Sequence, residues 1–167
     1  MTQRPPNPAA ALNALRRFVR GLRLAAQGAE RTLGISAAQL FVLQQLADEP
    51  AESMKDLAAR THTDQSSVSV VVTRLEERGL VERAVSPKDA RRTEVNLTRA
   101  GRTLVKRAPE APQASMMSVL EALSQEELNA FVDVLDQIAG ALGVAGQPAG
   151  MFFDEVAPPA PVETLIN

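Results

Sequence analysis

SMKDLAARTHTDQSSVSVVVTRLEERGLVERAVSPKDARRTEVNLT, residues 53–98, reads as helix, turn, helix, two-stranded wing and helix start. Ser53-x-x-Asp56 is a capping-box-like opening for a short helix whose apolar side is Leu57 and Ala58, ending near Thr61. From Asp64 to Arg78, a 100° step puts Asp64, Val68, Val71, Val72 and Leu75 in one arc. Thr63, Ser66, Val70, Thr73, Arg74 and Glu77 fall opposite. One face packs, and the other is free to meet a partner. Gly79 is the stop, and Leu80-Val81-Glu82-Arg83 alternates as a strand does. Ser86-Pro87-Lys88-Asp89 is a turn, Thr93 to Leu97 the returning strand, and Thr98 the cap of the next helix.

On the N-terminal side, Ser36-x-x-Gln39 is a capping box for a short buried helix carrying Leu40, Val42, Leu43 and Leu46, with Phe41 expected in the core. With the two helices above it makes a three-helix core. Before it, Leu12, Leu15, Val19, Leu22, Ala26 and Ala29 recur at helical steps through a long amphipathic helix from Ala9 to Thr32, which Leu33-Gly34-Ile35 ends. Residues 1–8 read as a loose arm. Downstream, Pro109 and Pro112 interrupt the helix that Thr98 opens, because neither ring can donate the helical hydrogen bond. Met116, Met117, Leu120 and Leu123 resume an apolar stripe. Ser124-x-x-Glu127 then caps a last helix with Leu128, Phe131, Val132, Leu135 and Ile138, running toward Gly140. Residues 143–167 form a Gly- and Pro-punctuated extension with one apolar knot, Met151-Phe152-Phe153, expected to dock in a groove of the helical dimer.

Leu57-Ala58, Ser67-Val68-Ser69, Arg74-Leu75-Glu76-x-x-Gly79-Leu80-Val81-x-Arg83, Asp89-x-Arg91 and Leu97-Thr98-x-x-Gly101 together resemble the winged helix-turn-helix of the MarR family of transcriptional regulators. The resemblance covers about residues 9–142. It implies a mainly α fold with a small two-stranded β wing, a DNA-binding core at 36–98, and N- and C-terminal dimerisation helices. The implied function is a cytoplasmic repressor, acting as a homodimer on double-stranded DNA at a pseudo-palindromic operator with half-sites one helical turn apart. Ser66, Ser69, Val70, Thr73 and Arg74 would face the major groove. Asp89 and Arg91 match the family's wing-tip pair, with the arginine in the minor groove and the aspartate holding it. Lys88, Arg92 and Arg83 would contact phosphates. Relief by a small aromatic or anionic effector is also implied, with Arg16, Phe18 and Arg20 as candidate contacts by placement. Two departures stand out. Val70 occupies a position where the family often has Arg and cannot donate to guanine; it either contacts a thymine methyl, shifting or lowering base preference, or packs on a neighbour and reads nothing. Ala90 sits in the wing where a basic residue is common.

Charge supports a polyanionic partner. All 18 Lys and Arg of the 167 residues lie at or before Arg107, against 11 acids there, a balance of +7; residues 108–167 carry nine acids and no base, or −9. Zero cysteines exclude disulfides and thiolate chemistry, and the single histidine, His62, reads as a turn residue. No cofactor, metal site, catalytic constellation, signal peptide or membrane-spanning run is expected. The competing class is a winged-helix protein-interaction module that has given up sequence reading, consistent with Val70 and the acidic half.

Overall fold

The computed structural model describes residues 7–86, 89, 93–147 and 150–152. Seven helices and a two-stranded sheet follow in the order α1 (Pro8–Leu33), α2 (Ala37–Asp48), α3 (Met54–Arg60), α4 (Gln65–Glu77), β1 (Val81–Val85), β2 (Thr93–Leu97), α5 (Arg99–Val105), α6 (Pro112–Glu121) and α7 (Gln125–Ala141).

The core is assembled around α2. Its Ala38, Leu40, Phe41, Val42, Leu43 and Leu46 are all buried, and it touches α1, α3, α4, α5, α6 and β2. A run of apolar residues from Leu40 to Leu43, covering every side of the helix for one turn, suits such a central position. The Ser36 capping box is complete, with Gln39 N–H donating to Ser36 Oγ at 3.2 Å and Ser36 N–H to Gln39 Oε1 at 3.0 Å. Gly34 ends α1 in the left-handed region at φ 68°, where its N–H reaches the Glu30 carbonyl at 2.8 Å.

The wing strands pair antiparallel in the register Val81↔Leu97, Arg83↔Val95 and Val85↔Thr93. Ala51 adds a bridge that the sequence pattern does not announce, exchanging both backbone hydrogen bonds with Val95 at 3.0 and 2.9 Å. The wing is thereby stitched to the α2–α3 connection. Thr98 joins the end of α4 to α5: its Oγ donates to the Gly79 carbonyl at 2.7 Å and accepts from Gly101 N–H at 3.1 Å. Gly101 is buried, and a Cβ there would overlap the Leu80 carbonyl.

The proline break separates α5 from α6 as expected. Gln44 spans it, donating to the Pro109 carbonyl at 2.8 Å and accepting from Ala111 N–H at 2.9 Å. Burial along α1 is graded: Ala29 is buried, Leu15, Leu22 and Ala26 are half-buried, and Leu12 and Val19 are exposed. No residue of α7 is buried, and Phe131, Val132, Val134, Leu135 and Ile138 all stand in solvent. Each such side chain forgoes roughly half of the ~1.5–3 kcal/mol that full burial gives.

Candidate nucleic-acid interface

The turn between α3 and α4 is held from both sides. Thr61 Oγ donates to the Leu57 carbonyl at 2.8 Å, Thr63 N–H reaches the Ala58 carbonyl at 3.0 Å, and His62 takes a positive φ of 51°. His62 is thus an exposed turn residue. Asp64, grouped with the packing arc by periodicity alone, is instead the exposed N-cap of α4, one residue before the helix begins. Its Oδ1 accepts from Ser67 N–H at 2.9 Å and Ser66 Oγ at 2.6 Å, and its Oδ2 from Ser67 Oγ at 2.6 Å. The Ser66 hydroxyl, then the Ser67 hydroxyl and amide, hold this carboxyl well below the usual aspartate range.

With Val68, Val71, Val72 and Leu75 buried beneath, α4 presents Ser66, Ser69, Val70 and Thr73 along the opposite side, with Arg74 at its edge. Ser66, Val70 and Thr73 are exposed, Val70 at 44%, and Ser69 and Arg74 are half-buried. The Ser66 hydroxyl proton is committed to Asp64, so its remaining capacity is as an acceptor. Thr73 donates to the Ser69 carbonyl at 2.9 Å.

Arg83 projects from β1 back onto α4. Its Nη2 donates to Thr73 Oγ1 at 3.2 Å and its Nη1 lies 3.4 Å from Glu76 Oε2. The wing strand and the exposed helix face therefore form one surface. Sequence reasoning passes over Glu76 as a site residue; the only signal for it is its three-residue spacing from Thr73, which puts both near one strand position. At the wing base, Ser86 Oγ donates to Glu94 Oε1 at 2.6 Å. Asp89 is exposed beyond it, while Lys88, Arg91 and Arg92, like Ala90, lie outside the described residues.

The three effector candidates do not converge. Arg16 and Arg20 line a shallow open groove along α1 with Leu12, Leu15, Val19 and Arg23, and Arg16 Nη1 donates to Asn13 Oδ1 at 3.0 Å. Phe18 leaves from the other side of the same helix and does not line that groove. Two residues from each arginine, Phe18 lies on a different face of α1 from them within one chain. Among the described residues no cluster of three or more His, Cys, Asp or Glu could hold a metal ion, and no helix is long and apolar enough to cross a membrane.

A family model described as the MarR family matches residues 33–92, the span from the end of α1 through the wing tip. An HTH-type transcriptional regulator of Bacillus subtilis, YdgJ, is 32% identical over 106 residues, 64% of this chain and 65% of that one. Over residues 33–92 the chain is similar to the MarR family. A second relative, a transcriptional regulatory protein for the hcr operon of Thauera aromatica, is 31% identical over 107 residues, 64% of each chain. The chain thus spans slightly less than two thirds of the length of these relatives. A third relative is the HTH-type transcriptional repressor MdtR of Bacillus subtilis, 29% identical over 65% of this chain and 70% of its own. The fold is shared with the regulator BldR of Sulfolobus solfataricus, at TM-score 0.52 and 24% identity over 84% of this chain and 99% of that one.

Proposed function

We propose that this chain is a sequence-specific DNA-binding transcriptional regulator, acting as a homodimeric repressor on a pseudo-palindromic operator and released by a small aromatic or anionic effector. The observation that carries the reading is the polar face of α4, from Ser66 to Thr73, locked edge to edge with the wing by Arg83. In this reading α4 enters the major groove, where Ser66, Ser69, Val70, Thr73 and Arg74 meet base edges and phosphates. Arg83, Lys88 and Arg92 meet phosphates alongside, and Arg91 enters the minor groove, held in place by Asp89. The uncovered apolar faces of α1 and α7 support the homodimer, since a second copy is the partner always at hand. Residues 36–98 serve as the DNA-binding core, flanked by dimerisation helices within 9–142.

The test is titration of a duplex from the gene's own upstream region, and of a scrambled duplex, at several salt concentrations. Preference for the upstream duplex with a steep negative salt slope, about 0.9 log units per phosphate neutralised, is the expected result. Absence of binding to either duplex would favour the interaction-module reading instead.

A further inference from the structure

The first turn of α4 carries two hydroxyls bound to one carboxylate. Asp64 Oδ1 accepts from Ser66 Oγ at 2.6 Å and Asp64 Oδ2 from Ser67 Oγ at 2.6 Å, while Ser67 N–H completes the cap at 2.9 Å. An ionised carboxylate has no proton to give, so each hydroxyl hydrogen belongs to the serine and points at Asp64. Such charge-assisted bonds are shorter and stronger than bonds between neutral groups. The same donors hold the Asp64 carboxyl well below the usual aspartate range, so the arrangement persists across neutral pH.

The two hydroxyls differ in what can reach them. Ser67 is half-buried, and the chain returning after α7 lies against it: a Cβ at Gly150 would be 4.0 Å from Ser67 Oγ. Met151, half-buried on the central apolar cluster, holds that return, together with Gln113, whose Nε2–H donates to the Phe152 carbonyl at 3.0 Å. The anchor is therefore Met151 and a backbone carbonyl on the winged core, rather than the phenylalanines in a groove of the helical dimer. Phe152 is 52% exposed, and Phe153 lies outside the described residues. Ser66, by contrast, is exposed on the side of α4 opposite Val68, Val71 and Val72, in line with Val70 and Thr73. It stands at the end of the helix that meets base edges when such a helix enters a groove.

A serine hydroxyl ordinarily reads either kind of base edge, because it rotates to donate or to accept. Here the rotation is fixed. With its hydrogen on Asp64, Ser66 Oγ presents only lone pairs to a groove. Thr73, further along the same face, is in a similar state: its hydrogen goes to the Ser69 carbonyl at 2.9 Å, and Arg83 Nη2 already donates to its oxygen at 3.2 Å. Lone pairs attract the exocyclic amines, N4 of cytosine and N6 of adenine, and repel O6 of guanine and O4 of thymine. To donate to either oxygen, Ser66 must first give up its bond to the carboxylate, and that loss offsets the bond gained.

We infer that Asp64 is a specificity-determining positioning residue: by holding the Ser66 hydrogen it makes Ser66 an obligate acceptor, which selects adenine or cytosine over guanine or thymine at the base facing the first turn of α4. The inference rests on the reading of α4 as the helix that enters the major groove.

The test measures base preference in the full chain. Wild type, Ser66→Ala and Asp64→Gly are titrated with duplexes from the gene's own upstream region, carrying each of the four base pairs in turn at every position of the half-site. Glycine is a tolerated N-cap, so Asp64→Gly should keep α4. In wild type, one position of each half-site should favour adenine or cytosine over guanine and thymine by about three- to tenfold, the effect of one hydrogen bond. Ser66→Ala should abolish the preference at that position alone. Asp64→Gly should level it there, because the freed hydroxyl can donate as well as accept. Preference retained in Asp64→Gly, whether or not affinity falls on all duplexes alike, would reduce Asp64 to a helix cap and overturn the inference. A preference for guanine or thymine at the Ser66-dependent position, or no Ser66-dependent position, would also overturn it. Wild type and Ser66→Ala decide those two points even if Asp64→Gly unfolds. If wild type binds no duplex, the reading of α4 as a DNA-contacting helix fails and the inference with it, whereas specific binding without the Ser66-dependent preference sinks the inference alone.

Discussion

Arg83 of the wing donates to the Thr73 hydroxyl of α4 at 3.2 Å and stands 3.4 Å from the Glu76 carboxylate. A single guanidinium therefore bridges the two surfaces that would grip a duplex. Both members of the ion pair are about a third or more exposed, so it adds less to stability than to geometry. Glu76→Ala should lower unfolding free energy by no more than about 1 kcal/mol. Arg83→Ala should weaken all duplexes alike and flatten the salt slope by about 0.9. Denaturant unfolding and mobility shifts at several salt concentrations check the pair. A change in base preference for Arg83→Ala would contradict a phosphate-contacting role.

Gly101 should tolerate no side chain. It lies against the Leu80 carbonyl, and the obstruction is backbone anchored by Thr98, so relief requires moving the start of β1 away from α5. Gly101→Ala should destabilise by about 1–3 kcal/mol or more, despite alanine's better helix propensity. Thermal melting of the variant gives the answer, and an unchanged midpoint would mean that α5 shifts freely.

The acid limb of stability should depend on Asp64. Its folded-state carboxyl titrates below the ordinary value of 3.8, because the charged form accepts hydrogen bonds from Ser66 and Ser67. The stabilisation is complete above that ordinary value and is lost as pH falls from there through the folded one. Asp64→Asn keeps an N-cap acceptor but cannot titrate. Urea unfolding between pH 7 and pH 2 should show the wild-type advantage over D64N constant near neutrality and shrinking below about pH 4. A constant difference across that range would exclude the Ser66–Asp64–Ser67 arrangement.

Dimerisation should depend on α7 without the single-chain fold depending on it. Leu135 is 41% exposed, on a face shared with Phe131 and Ile138, and lies outside the buried core, so Leu135→Asp should leave the single-chain fold in place. Light scattering should show a dimer for wild type and a monomer, or a much weaker dimer, for L135D with unchanged helix content.

The helices, both capping boxes, the proline break and β2 are legible in the sequence because each rests on local chemistry: a hydroxyl three residues before an acceptor, a ring without an N–H, or apolar residues at fixed steps. Sequence reasoning goes astray where tertiary placement decides. Periodicity puts Asp64 on the packing side, but the first residue of such an arc is also where a cap belongs, and the cap wins. Ala51 offers no strand pattern; it pairs because the end of α2 delivers it beside Val95. Arg83 reads only as a phosphate contact, since nothing in a strand pattern says that Glu76 and Thr73 lie within its reach.

Val70 gives the sharpest test of base reading. It is 44% exposed on the face opposite Val68, Val71 and Val72, so it is not held by the core and its truncation should change stability by less than about 0.5 kcal/mol. Two methyl groups cannot hydrogen-bond to a base edge, but they can pack on the C5-methyl of thymine. If they do, replacing one thymine of the operator half-site by deoxyuridine removes the same contact from the DNA side. Wild type should then lose affinity on that duplex by about the amount that Val70→Ala loses on the thymine duplex. Combining both changes should cost little more than either alone, the sign of a shared contact. Fully additive losses in that cycle would assign the thymine methyl to another residue and leave Val70 without a base partner.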